Sequence, residues 1–157
     1  MAAFVHLTTD SNVARIRRGG IRATNGAPGV FAMPVLPDFQ RSHQWLRELR
    51  RWKAGRSLLA VYFRVPGDTS VVFGRYNKQH IVGTADDAAA ALKSLDDAGG
   101  FEAAIQRHIA PGEITSIKHL PQIIGWRYFP DAKGRKPFCT CDYCQKGLPF
   151  SRRLRDE

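Results

Sequence analysis

Three stretches of this 157-residue chain bring chemistry-bearing side chains close together. In CTCDYC, residues 139–144, Cys139, Cys141 and Cys144 stand in C-x-C-x-x-C spacing. Thiolates this close suit a Zn²⁺ ion, and a closed structural zinc site takes four ligands. The fourth would come from His80, His108, His119 or another chain. Three free thiols in a reducing cell are the plainer alternative. In FEAAI, residues 101–105, Glu102 interrupts an apolar run. A buried carboxylate is costly unless it is paired or put to use, and otherwise it lies on a solvated strand face. In AFVHLTT, residues 3–9, His6 sits at the edge of an apolar run, two residues before the hydroxyl of Thr8. That arrangement reads as the entry to a nucleotide pocket, with a satisfied core-edge histidine as the alternative. The chain contains no P-loop and no GxGxxG, which argues against a Rossmann or P-loop nucleotide site.

The elements that would carry these residues follow from local pattern. Residues 3–8 read as a strand with Phe4, His6 and Thr8 on one face and Ala3, Val5 and Leu7 on the other. Asp10 or Ser11 caps a helix over 11–18, and Gly19-Gly20 stops it. Residues 30–35 form a short strand. A helix begins at the cap Asp38 and runs to about Gly55, with Trp45, Leu46, Leu49 and Trp52 as its buried stripe and Arg47, Arg50, Arg51 and Lys53 outside. Strands follow at 57–65 and 70–77, with Gly67-Asp68 as a hairpin turn between them. A helix opens at Thr84 with a capping-box partner, Asp87, and ends at Gly99-Gly100. FEAAIQRHI reads as a strand with Phe101, Ala103 and Ile105 on one face and Glu102 and Ala104 on the other. EITSIKHL and QIIGWRYF read as two more. About seven strands and three helices without β-α-β alternation predict an α+β fold with a mainly antiparallel or mixed sheet.

Composition sets the bounds. Hydrophobic content of 43% with 24% charged residues suits a folded core. No apolar run reaches the ~18–20 residues of a membrane span, and no secretory signal pattern opens the chain. The net charge is +10, and it is uneven. Residues 1–60 carry ten Lys/Arg against three Asp/Glu, residues 61–125 six against seven, and residues 126–157 eight against four. Basic ends around a near-neutral middle favour a polyanionic partner, nucleic acid first. The clustered cysteines fit a reducing, cytoplasmic setting.

Taken in order, several pieces resemble one family. His6-x-Thr8, followed by Asn12, Ile16 and Gly20-Ile21, resembles the opening motif of the diphtheria-toxin-like ADP-ribosyltransferases, the His-Tyr-Glu class that includes the poly(ADP-ribose) polymerases. GVFAM, residues 29–33, is similar to that family's Gly-Ile-Tyr-x-Ala strand, and SHQW, residues 42–45, resembles its Ser-x-x-Tyr. FEAAIQRHIAPGEITSI, residues 101–117, is similar to the strand bearing the catalytic Glu and the turn after it. The resemblance covers roughly residues 3–120. It implies NAD⁺ as substrate. His6 and Thr8 would bond the adenosine ribose, and the Leu7 backbone would pair with the nicotinamide carboxamide, helped by the Ser42 hydroxyl. Phe31 and Trp45 would sandwich the nicotinamide ring. Glu102 would hold the ribose 2′-hydroxyl and favour the oxocarbenium-like transition state familiar from glycoside cleavage.

Three departures bear on these roles. Leu7 stands where the family has Gly. Phe31 replaces Tyr. Gly100 stands two residues before Glu102, so the Glu/Gln-x-Glu signature of arginine-modifying relatives is absent. The expectation is therefore a transferase-like domain over 1–128 with a basic, cysteine-bearing appendage over 129–157. It would transfer mono-ADP-ribose, with nucleic acid the favoured acceptor, as in the DarT-type members it resembles, and protein the other. A neutralising partner protein would suit such a toxin-like enzyme. The alternatives are a non-catalytic, zinc-stabilised nucleic-acid-binding protein and an NAD⁺-dependent RNA 2′-phosphotransferase.

Overall fold

The computed structural model describes residues 1–53 and 56–121. The strand expected at QIIGWRYF, the appendage and Cys139, Cys141 and Cys144 lie outside the described residues. The strands are β1 (Ala2–Thr9), β2 (Val30–Phe31), β3 (Met33–Pro34), β4 (Leu58–Val65), β5 (Ser70–Arg75), β6 (Ile81–Thr84), β7 (Phe101–Ile105) and β8 (Ile114–His119). The helices are α1 (Val13–Gly19), α2 (Phe39–His43), α3 (Leu46–Trp52) and α4 (Ala85–Ser94). The fold is α+β, with two four-stranded sheets ordered β3-β1-β4-β8 and β2-β7-β5-β6. Every pairing is antiparallel.

One core serves both sheets. The first contributes Phe4, Val61, Phe63 and Val65, and the second Val30, Val71, Phe73, Phe101, Ala103 and Ile105. Helix α4 adds Ala85, Ala88 and Leu92 and touches strands of both sheets. Its start is the capping box read from the sequence: the Asp87 amide donates to Thr84 Oγ1 at 3.1 Å, and the Thr84 amide donates to Asp87 Oδ2 at 2.9 Å. It ends at Ser94, short of Gly99. The Arg41 guanidinium donates to the carbonyls of Leu92 at 3.2 Å and Leu95 at 2.6 Å, meeting the helix-end acceptors early. Among the described residues no helix is long and apolar enough to cross a membrane.

Three sequence expectations need correction. Strands β4 and β5 do not form a hairpin, because they belong to different sheets. The Pro66–Thr69 turn instead crosses between layers, and its Gly67 and Thr69 carbonyls accept from the amides of Asp86 and Ala85 at the start of α4. The helix expected over 38–54 is two helices, broken at Gln44 and Trp45, so that both side chains reach the 98–101 backbone. The strand at 30–35 is divided as well. β2 pairs with β7, β3 pairs with β1, and Ala32 is the point where the chain passes from one sheet to the other.

Candidate functional site at the parting of the two sheets

The crossing at Ala32 leaves one edge of β1 uncovered. β3 covers β1 only at Phe4 and Val5, opposite Pro34 and Met33. The Ala3 carbonyl accepts from the Val35 amide at 2.8 Å, on the β3 side. Backbone groups alternate sides along an antiparallel strand, so Val5 and Leu7 present theirs to that side too. At Leu7 no described strand continues the pairing on that side, so its N–H and C=O lie along an uncovered strand edge. The Leu7 side chain packs instead toward Leu46 and Leu58. Its bulk therefore lies off the edge where only backbone atoms are needed.

His6 bridges the two sheets. Its Nδ1 lies 2.7 Å from the Phe31 carbonyl oxygen. A carbonyl only accepts, so Nδ1 carries the proton. Burial holds the imidazole below its ordinary range; the bond to Phe31 works the other way, and the charge of Lys53 lowers it further. The ring is thus neutral at pH 7, with Nε2 as an acceptor. Thr8, on the same strand face, is buried, and its hydroxyl accepts from Asn12 Nδ2 at 3.1 Å. This bond fixes the start of α1 and leaves the hydroxyl proton to serve a second partner.

The second sheet carries the other residues of interest. Phe31 stands opposite Ala104 on β7, and Glu102 is two residues along on the same strand face. On β5, Val72 pairs with Ala104 and Gly74 with Glu102. Phe31, Val72, Gly74 and Glu102 therefore share a face, while Val30, Val71, Phe73, Phe101 and Ile105 line the buried one. Phe31 is 46% exposed. The Glu102 side chain, 19% exposed, accepts from His80 Nε2 at 2.9 Å.

Ser42 and Trp45 lie elsewhere. Ser42 is fully buried; its hydroxyl accepts from the Leu36 amide at 2.8 Å and donates to the Asp38 carbonyl at 3.3 Å. Trp45, 8% exposed, packs in the core, and its indole N–H donates to the Phe101 carbonyl at 2.6 Å. Gln44 acts beside it: its Oε1 accepts from the Gly100 amide at 2.8 Å, and its amide donates to the Ala98 carbonyl at 3.0 Å. The helix break thus pins the start of the strand that carries Glu102. The structure joins His6 to the Phe31 carbonyl and sets Phe31 and Glu102 on one face of the second sheet, and it gives Ser42 and Trp45 structural partners instead.

No family model, no curated protein and no solved structure matches the chain. The site rests on its own geometry. The sequence points to His80 only as a ligand for the cysteine cluster, and it does not mark Gly74 or Gln44; the signal is thin. His80 follows a turn, Gly74 sits inside a strand, and Gln44 falls within what reads as one helix. As for a metal, the described residues contain no group of three or more His, Cys, Asp or Glu that could hold one. Of the three histidines considered as a fourth partner for the cysteines, His80 bonds Glu102, His108 Nδ1 donates to the Ile21 carbonyl at 3.1 Å, and His119 is exposed at the end of β8.

Proposed function

We propose that this protein is an NAD⁺-dependent mono-ADP-ribosyltransferase with nucleic acid as its acceptor. The observation that carries this reading is that Phe31 and Glu102 share one face of the second sheet, while His6, next to the uncovered Leu7 edge of the first, bonds the Phe31 carbonyl. The residues fit the substrate in kind. An exposed ring suits stacking on nicotinamide, a free backbone edge suits a carboxamide, and a carboxylate suits a ribose hydroxyl. Neutral His6 offers Nε2 to a hydroxyl of the second ribose. Glu102, held in a fixed place, would stabilise the positive charge that develops at the ribose as nicotinamide leaves. A preorganised carboxylate in that role is worth on the order of 10²–10⁴ in rate. The ring sandwich is reduced to one face, because Trp45 is engaged in the core.

The acceptor follows from charge. Arg15, Arg17, Arg18 and Arg22 are exposed on α1 and the chain just after it, at the end of the strand that carries His6. Together with the net +10, they suit a phosphate backbone, which positions a substrate without reading its sequence. Helix α3 contributes less than its sequence implies, because Arg47 and Arg50 are half-buried.

The test is transfer of labelled ADP-ribose from NAD⁺ to single-stranded DNA, RNA or lysate protein, by wild type and by Glu102→Gln. Labelled nucleic acid with wild type alone is expected. Labelled protein in its place would move the acceptor. NAD⁺-dependent loss of phosphate from 2′-phosphorylated RNA would replace the reaction with phosphate transfer. Nucleic-acid binding without NAD⁺ turnover would make the protein a binding module.

A further inference from the structure

Resting on the transferase reading, we propose that His80 is the positioning residue for Glu102, holding one carboxylate oxygen so that the other is presented to the substrate ribose. The contact runs across three chain segments. Glu102 lies on β7, Gly74 stands opposite it on β5, and His80 immediately precedes β6 on the far side. His80 Nε2 reaches Glu102 Oε1 at 2.9 Å over the glycine. A carboxylate only accepts, so Nε2 donates. One carboxylate oxygen is then engaged by His80, which leaves the other for the ribose hydroxyl.

Gly74 keeps the lane open. A Cβ at this position would stand 3.1 Å from both the Cα and the Cδ2 of His80 and 3.0 Å from the Gln79 carbonyl oxygen. Any side chain there would press on the imidazole just where it passes toward Glu102. The turn before His80 is tied down as well. The Lys78 amide donates to the Arg75 carbonyl at 2.9 Å, the Tyr76 amide to the Gly100 carbonyl at 2.8 Å, and Asn77 takes the left-handed conformation at φ 58°. Arg75 pairs with Asp97 at 2.7 Å on the other side of that turn. The strand under Glu102 is held in turn by Gln44 and Trp45. Both partners therefore approach each other from anchored backbone, which is what separates a positioning contact from a surface ion pair between mobile side chains.

The experiment measures nicotinamide release from NAD⁺ by the full chain in the presence of single-stranded DNA and, separately, of RNA and of lysate protein, with kcat and KM separated and melting temperatures recorded. His80→Ala is expected to lower kcat by roughly ten- to a hundredfold, the scale on which a misplaced catalytic group costs rate, with KM within about twofold. His80→Gln, which keeps an N–H donor, is expected to return to within about fivefold of wild type. Gly74→Ala is expected to reproduce the His80→Ala loss, and adding it to His80→Ala to cost less than about twofold more, since both remove one contact. Should His80→Ala unfold, the Gln and Gly74→Ala variants carry the comparison. His80→Ala and Gly74→Ala variants with near wild-type kcat, beside an inactive Glu102→Gln, would overturn the positioning role alone. A raised KM with unchanged kcat would overturn it too. Wild-type protein that releases no nicotinamide, or a fully active Glu102→Gln, would remove the transferase reading and this inference together.

Discussion

The imidazole of His6, on the first sheet, donates to the carbonyl of Phe31, on the second, at 2.7 Å. This single bond spans the place where the two sheets separate. It also orients the neutral ring so that its other nitrogen is the acceptor. His6→Ala removes the donor and is expected to cost about 1 kcal/mol of stability, read as a lower urea midpoint. It is expected to weaken NAD⁺ binding in calorimetry by more than that stability loss explains. Equal NAD⁺ affinity in wild type and variant would contradict the ligand-facing role of Nε2.

Phe31 makes the opposite test. Its ring is half in solvent, so Phe31→Ala is expected to change stability by less than about 1 kcal/mol. If the ring stacks on nicotinamide, worth roughly 0.5–1.5 kcal/mol, affinity for NAD⁺ falls roughly two- to tenfold. Unchanged affinity with unchanged stability would remove Phe31 from the site.

His43 sets a pH dependence. It is buried, its Nδ1 donates to the Phe39 carbonyl at 2.8 Å, and its Nε2 accepts from the Tyr62 hydroxyl at 2.8 Å. Burial lowers its pKa, with the Phe39 bond opposing, as burial also lowers that of His6. In the unfolded chain both imidazoles take up protons below about pH 6.5. The unfolded state then binds more protons than the folded one, so stability is full above that pH and falls as acid is added. Urea midpoints that stay level from neutral pH down to about pH 5 would contradict the buried neutral state.

Arg41 is expected to matter more than its partly exposed position implies. Its guanidinium serves the carbonyls at the end of α4 and pairs with Asp38 at 3.3 Å. Arg41→Ala is expected to cost about 2 kcal/mol, the scale for charge-assisted bonds to backbone. Arg41→Lys is expected to recover only part of it, because a single ammonium cannot fork across two carbonyls. Full recovery by Lys would reduce the role to charge alone.

Gly20 is set in the left-handed region at φ 73°, and a Cβ there would fall on the Ile109 carbonyl oxygen. That carbonyl accepts from the Ile21 amide at 2.9 Å. Gly20→Ala is expected to cost about 3 kcal/mol or more, seen as a large drop in melting temperature. A drop of only a degree or two would show that the 108–110 segment yields to the methyl group.

Much of this was legible in local pattern. Thr84 and Asp87 announced α4, because a capping box depends on residues three apart. The alternation in FEAAI placed Glu102 away from Phe101 and Ala103, because strand period alone decides it. The division of residues 30–34 was not legible. Val30, Phe31, Met33 and Pro34 read as one strand, and only the positions of β1 and β7, distant in the chain, assign its two halves to different sheets. The break at Gln44 escaped for a similar reason. An unbroken apolar stripe predicts one helix, and the backbone partners that draw Gln44 and Trp45 inward lie more than fifty residues away. His80 reached Glu102 through a missing side chain at Gly74, which leaves no mark in hydrophobic periodicity.

The antiparallel pairing of β2 with β7 joins residue 30 to residue 105, and that of β1 with β4 joins residue 2 to residue 65. Among the described strands, only the paired β5 and β6 are consecutive along the chain. Closing such long loops comes before any contact that repays it, which puts folding in the slow range of sheet-rich proteins. On a ribosome, most of the chain must emerge before Phe31 can pair with the strand that carries Glu102. An abbreviated product would hold His6 and half of a sheet, and no assembled site.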